Sequence, residues 1–198
     1  MCRLIESIRL HDGKFYNLFY HEQRMIRTLQ TLFGQHPPID LAAYLADTAY
    51  PPEGLFKCRI VYDRKTMHTT FTSYEPRKIQ SLRVVHADYL NYEFKFEDRQ
   101  ALDRLFELRN GCDDILITRR GVVTDCSFAN IIFRKGNSWV TPDRPLLRGT
   151  MRQNLMDRNA VQVQEITIPD LRSFQSFKII NAMVGFDSPE IEVSNIVF

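Results

Sequence analysis

Apolar and polar residues alternate from Leu4 to Leu10, the spacing of a strand with one buried face. The turn residues His11-Asp12-Gly13-Lys14 follow, and Asp-Gly is a strong two-residue turn signal. Residues 1–19 are therefore predicted as a hairpin whose return strand runs Phe15–Phe19. The period then changes. Met25, Ile26, Leu29, Leu32 and Phe33 recur at helical spacing over residues 20–33, and Gly34 stands where a helix would end. Asp40 is placed to cap a short helix through Asp47, and Pro51-Pro52 breaks the chain. Leu55–Tyr62 and Thr66–Ser73 read as strands about Asp63-Arg64-Lys65, with a further strand at Leu82–Ala87. Residues 88–97 form a polar and aromatic connection into a helix over 98–109, with Leu102, Leu105 and Phe106 on one face.

The second half is dense in strands. Asp114–Thr118 and Val122–Asp125 flank Arg119-Arg120-Gly121, and Ala129–Phe133 and Ser138–Val140 flank Lys135-Gly136-Asn137, so two hairpins are predicted. A helix follows Gly149 to about Asn159. Then come a strand at Val161–Glu165, a short helix from Pro169, a strand at Phe177–Ile180 and a terminal strand over Glu190–Phe198. The pattern is α+β, with a small N-terminal domain over 1–88 and a larger, strand-rich C-terminal domain over 89–198.

Composition narrows the class without naming a chemistry. The chain has 198 residues, 44% hydrophobic and 25% charged, with a formal net charge of +2. Its basic residues are scattered, so no nucleic-acid footprint is expected. No run approaches transmembrane length and no secretory signal is seen at the start, so a cytoplasmic protein without a membrane partner is expected. The four cysteines, Cys2, Cys58, Cys112 and Cys126, include no CxxC pair. Free thiols and no metal site are the expectation.

Four stretches carry candidate chemistry. Lys95 stands between Phe94 and Phe96 at a strand-to-helix transition. Flanking aromatics exclude water and make a free amine available, although an exposed lysine is the commoner use. Asp125 ends a strand before the polar turn Cys126-Ser127. A carboxylate there suits a protonated pyridine nitrogen, whereas the plainer reading is a turn acid. Gly149-Thr150-Met151 opens a helix, whose free N–H groups and dipole seat a phosphate or are simply capped by Thr150. Arg24, in Tyr20-His21-Glu22-Gln23-Arg24, can reach a phosphate with its planar fork or lie on a solvated face.

Taken in this order, with Ile5-Glu6-Ser7-Ile8-Arg9, Thr124-Asp125…Ala129-Asn130, Leu146–Arg152 and Ile180-Asn181-Ala182-Met183, these stretches resemble the class IV aminotransferases, the fold type IV pyridoxal-phosphate enzymes. The resemblance spans almost the whole chain. It implies pyridoxal 5'-phosphate as cofactor, Lys95 as the Schiff-base lysine and proton shuttle, and Arg24 as a phosphate ligand. Gly149, Thr150 and Met151 then form the phosphate-binding helix start, and Asp125 is the acid at the pyridine nitrogen. Asn181, Ala182 and Met183 form a loop on the phosphate's other side. Where the family usually has glutamate this chain has Asp125, one methylene shorter. Met183 replaces a frequent threonine and offers only its backbone. The N-terminal domain is expected to be trimmed.

The form of the Asn181-Ala182-Met183 segment resembles 4-amino-4-deoxychorismate lyase, which makes 4-aminobenzoate and pyruvate for folate synthesis. Such a small-molecule amino substrate carries two carboxylates, for which Lys57 and Arg59 are candidates. A branched-chain or D-amino acid aminotransferase is the alternative, and a catalytically degenerate homologue the third reading. By the same resemblance a homodimer is expected.

Overall fold

The structure is a computed structural model in which residues 3–34 and 38–198 are described. Cys2, expected as a free thiol, lies outside the described residues. Cys58, Cys112 and Cys126 are free. The chain divides into two compact units, residues 1–76 with 94–98 and residues 77–93 with 99–198. A single boundary at residue 88 was expected. By compactness the chain instead passes between the units three times, and the Lys95 segment belongs with the first.

In the first unit, β1 (Leu4–His11) turns through Asp12 (φ 47) and Gly13 (φ 70) into β2 (Lys14–Phe15). Both turn residues are left-handed, as a two-residue hairpin requires. The return strand predicted to Phe19 is only two residues long. Asn17 takes φ 57, and α1 (Leu18–Phe33) begins directly after it. A short helix α2 (Leu41–Ala46) follows, its Asp40 side chain accepting from the Ala43 N–H at 2.8 Å. β3 (Leu55–Tyr62) and β4 (Met67–Ser73) complete a sheet ordered β2-β1-β3-β4. Its alternation sorts the side chains. Leu4, Ile8, Leu10, Cys58, Ile60 and Tyr62 pack against Met25, Leu29, Leu41 and Leu45. Residues one position out of phase, Ser7↔Arg59 and Arg9↔Lys57, share the other face.

In the second unit, β5 (Leu82–His86) leads through α3 (Gln100–Phe106), which ends in a 3-10 turn, to β6 (Asp114–Arg119), parallel to β5. β7 (Val122–Cys126) returns antiparallel. β8 (Asn130–Lys135), β9 (Ser138–Pro142), β10 (Gln162–Gln164) and β11 (Ser176–Ile180) build a second sheet, with α4 (Thr150–Asp157) connecting β9 to β10. Ile131, Phe133, Phe177 and Ile179 face Leu82, Val84, Leu116 and Val123 in one core. Ile132 and Ile180, pointing the other way, pack with Leu155 of α4. Both faces of β8 are thus buried, which explains its unbroken apolar run.

The terminal strand predicted over Glu190–Phe198 is broken. β12 (Ile191–Glu192) pairs with β11, a 3-10 turn intervenes, and β13 (Ile196–Val197) pairs with β5. The segment crosses from one sheet to the other, so it cannot remain one strand. No described helix is long and apolar enough to cross a membrane.

Candidate active site

In the first unit the site is built around a carboxylate in a core position. Glu6 sits in the inward row of β1 with Leu4, Ile8 and Leu10 and is fully buried. The opposing face of α1 carries His21, Arg24, Met25, Thr28 and Leu29, a spacing that stacks them in one stripe. Arg24 donates through Nε to Glu6 Oε1 at 2.9 Å and through Nη2 to Oε2, and His21 Nδ1 lies 2.6 Å from Oε2. Burial alone would raise the Glu6 pKa, but the Arg24 charge, the His21 hydrogen bond and the His21 charge together bring it down to about 2. His21 is pushed down by burial, against the pull of Glu6.

The Lys95 segment is laced to the start of β1. The Ile5 N–H donates to the Lys95 carbonyl at 2.9 Å, the Glu97 N–H donates to the Arg3 carbonyl at 2.9 Å, and Leu4 bridges Phe96. Phe94 and Phe96 pack against the first unit's core, edge to face at 6.0 Å. The Phe96 N–H closes a tight turn onto the Phe94 carbonyl at 3.0 Å, which sets Lys95 at its apex. Lys95 is half-buried, and its charge is felt at His21. Arg24 is thus part of the buried Glu6 cluster, and Lys95 lies on a turn hydrogen-bonded to the same strand. Lys57 and Arg59 do not join that cluster. They lie on the outward face of β3, where Arg59 pairs with Glu97 at 3.1 Å and Glu97 with Arg3 at 2.7 Å.

In the second unit a different carboxylate is held. Asp125 is 4% exposed. Its Oδ1 accepts from Asn130 Nδ2 at 2.7 Å and its Oδ2 from the Leu147 N–H at 2.9 Å. The same Asn130 amide donates to the Leu147 carbonyl at 2.9 Å. Burial raises the Asp125 pKa to about 6, and the Leu147 and Asn130 hydrogen bonds with the Arg152 charge only partly offset it. Arg152 itself is spent on Thr141 Oγ1 at 3.2 Å and the Pro142 carbonyl at 2.8 Å. Cys126, beside Asp125, is buried, and its thiol is pushed up by burial and two nearby acids, so it is a packed thiol.

The loop pinned by Asn130 delivers Gly149 to the start of α4. Gly149 is its N-cap and makes no side-chain capping bond. A Cβ on Gly149 would stand 1.9 Å from Asn130 Oδ1, so glycine is demanded by close approach rather than by its backbone angle. Asn181 folds its own loop, with Oδ1 accepting from the Met183 N–H at 2.8 Å and the Val184 N–H at 2.9 Å. Asp125, the Gly149-Thr150-Met151 helix start and the Asn181-Ala182-Met183 loop are thus all ordered within this unit.

Two residues that organise the site had no role in the sequence reading: Glu6 and Asn130. For Glu6 the signal was present, since an acid in phase with Leu4, Ile8 and Leu10 demands a buried cation. For Asn130 the signal was weak, because an asparagine opening a strand is ordinarily a turn residue.

Comparisons with known proteins agree on one family. A model described as class IV amino-transferase matches residues 3–187. An uncharacterized protein of Haemophilus influenzae is 35% identical over 187 residues, 93% of this chain and 100% of that one. A crystal structure from Haemophilus somnus, provisionally named a 4-amino-4-deoxychorismate lyase, aligns with a TM-score of 0.88 and 36% identity over 94% of this chain and 98% of that one. A Mesorhizobium loti protein, provisionally named an amino-acid aminotransferase, aligns over 100% of both chains with a TM-score of 0.83 at 21% identity, a likeness of fold.

The two carboxylates should affect stability with opposite sign. Glu6, lowered from 4.5 to about 2, stabilises the fold above pH 4.5, and this is lost as pH falls toward 2. Asp125, raised from 3.8 to about 6, favours the fold below pH 3.8, and this is lost as pH rises through 6. Each effect is about 3 kcal/mol at full extent. Urea unfolding of the cofactor-free protein across pH should show Asp125→Asn more stable than wild type at pH 8 and equal to it below pH 4. An unchanged difference across that range would show that Asp125 is not buried as a charge. Gly149→Ala should cost about 1–3 kcal/mol through the Asn130 clash; a full-strength variant would mean the loop moves away freely.

Proposed function

Since the chain belongs to the class IV aminotransferase family, we propose that it is a pyridoxal-phosphate lyase acting on 4-amino-4-deoxychorismate, releasing 4-aminobenzoate and pyruvate. The observation that carries the choice of reaction is the 36% identity, over nearly the full length of both chains, to a structure provisionally given that name. The Asn181-Ala182-Met183 loop supports it, since it offers backbone where many aminotransferases offer a hydroxyl.

The residues present fit the family's cofactor. Asp125 is a buried acid whose direct partners are neutral N–H donors, so a cationic ring nitrogen would complete it. Gly149, the N-cap of α4, has no side chain to cap with, and backbone N–H groups at a helix start such as Thr150 and Met151 suit a phosphate, as does the guanidinium of Arg24. When bound, pyridoxal phosphate supplies an aldehyde for amines and an electron sink for the pair left by bond breaking. Glu6 holds Arg24 at a fixed angle. Lys95 stands at the apex of a turn whose flanking Phe94 and Phe96 pack against the core. In this reading Lys95 takes the proton from the amino-bearing ring carbon of the substrate. The C–O bond to the enolpyruvyl group breaks, and a proton is returned to the departing group. Atoms balance without water or a second substrate. Lys57, beside Arg59 on the outward face of β3, is the candidate for a substrate carboxylate, while Arg59 must first leave Glu97. The reading carries with it a homodimer in the cytoplasm.

The test is turnover by the cofactor-loaded protein, with borohydride reduction and peptide mapping alongside. The expected result is equimolar 4-aminobenzoate and pyruvate with no 2-oxo acid added, the reduced adduct on Lys95, and a rate lower by about a thousandfold in Lys95→Ala. Turnover that requires a 2-oxo acid would replace the lyase with an aminotransferase. An adduct on another lysine would remove the role of Lys95.

A further inference from the structure

We propose that Lys178 is a positioning residue for the cofactor phosphate: it holds the loop that follows β11, and with it one side of the phosphate seat. The inference rests on the reading that the phosphate lies between the start of α4 and the Asn181-Ala182-Met183 loop. Strand register puts Lys178 on the α4 side of the second sheet. It pairs with Ile132 of β8, and Ile180, two positions on, is fully buried in a cluster with Ile132, Leu155 and Val161. A lysine in phase with those residues runs its stem across apolar surface and must find a polar seat for its amine.

The loop itself supplies that seat. Lys178 Nζ donates to the Phe186 carbonyl at 3.0 Å. The same ammonium lies 4.9 Å from the centre of the Phe186 ring and 5.1 Å from that of Trp139, within cation–π reach of both. The two rings meet edge to face at 5.9 Å. Phe186 is therefore gripped twice by one lysine, at its carbonyl and at its ring. A hydrogen bond from a charged donor is stronger than one between neutral groups, so this is a firm anchor for a loop.

The anchor bears on both elements assigned to the phosphate. At the start of the loop, Asn181 Oδ1 accepts from the Met183 and Val184 N–H groups, and backbone bonds run both ways between Asn181 and Val184 at 2.9 and 3.2 Å. The Ser188 N–H donates to the Gly185 carbonyl at 3.2 Å. The loop is thus closed at Asn181 and anchored at Phe186, with Ala182 and Met183 held between. Met151, from the start of α4, packs on the same apolar cluster as Trp139 and Phe186. A Cβ on Gly185 would stand 3.5 Å from Met151 Cε. Helix start and loop therefore share one support, and Lys178 fastens the loop to it.

The test compares the full chain with Lys178→Met, which keeps the stem beside the rings and loses the charge and the donor. Affinity for pyridoxal phosphate, read from the visible absorbance, should fall roughly tenfold, while affinity for pyridoxal, which lacks the phosphate, should not change. The phosphorus NMR resonance of the bound cofactor should move. Lys178→Arg, which restores a cation and a donor, should bring back both affinity and resonance. Unchanged affinity with an unchanged resonance in Lys178→Met would overturn the proposal. So would an equal loss for pyridoxal and its phosphate, which marks general damage to the fold. Wild-type protein that binds pyridoxal as tightly as the phosphate would remove the phosphate seat itself, and the proposal with it. The lyase reading is judged from products, so its failure is seen separately from these.

Discussion

A carboxylate shut away from water must be matched by positive charge or give up its own, and among the described residues Glu6 and Asp125 show the two cases. Glu6 is matched. Arg24 and His21 close over it so tightly that its pKa falls to about 2 in spite of complete burial. Removing one partner of such a group costs about 3–5 kcal/mol, because the other is left buried and unpaired. The first unit is therefore organised by this contact: it sets how the His21–Arg24–Thr28 face of α1 meets β1, and β1 in turn holds the Lys95 segment by backbone hydrogen bonds.

Asp125 is the opposite case. Its hydrogen-bond donors are a backbone N–H and an amide, and its pKa rises to about 6. Natural folds leave such a cost standing chiefly where something else will bear on it, and perturbed acids cluster at functional sites for that reason. The same Asn130 that holds Asp125 also pins Leu147 and forbids a side chain at Gly149. Acid, loop and helix start are thus one mechanical piece. Asp125 is held on one oxygen by Asn130 and on the other by the Leu147 N–H.

Much of this was legible in the sequence, and the misses have physical causes. Asp12-Gly13 announced its hairpin because few residues accept two consecutive left-handed positions. The periodicity of residues 20–33 announced α1. The family emerged from several short stretches in order, none specific alone. The return strand after Phe15 failed because a left-handed Asn17 ends it, which no hydrophobic pattern records. The terminal strand failed because alternation cannot say which sheet a strand joins: Ile191 and Ile196 join different ones. Lys57 and Arg59 were read as a pair, yet Glu97, far along the chain, claims Arg59. Long-range partners of this kind are what a single sequence hides.

The proposed function rests most on Asp125 being a buried acid, only partly compensated by its neighbours, that a cationic cofactor would complete. The direct measurement is the titration of its carboxyl carbon by NMR in protein labelled at aspartate, assigned by comparison with Asp125→Asn, with and without pyridoxal phosphate. The account predicts a midpoint near pH 6 in the cofactor-free protein and a clear fall when the cofactor is bound. A midpoint in the ordinary range for an aspartate, or one that the cofactor leaves unmoved, would contradict it.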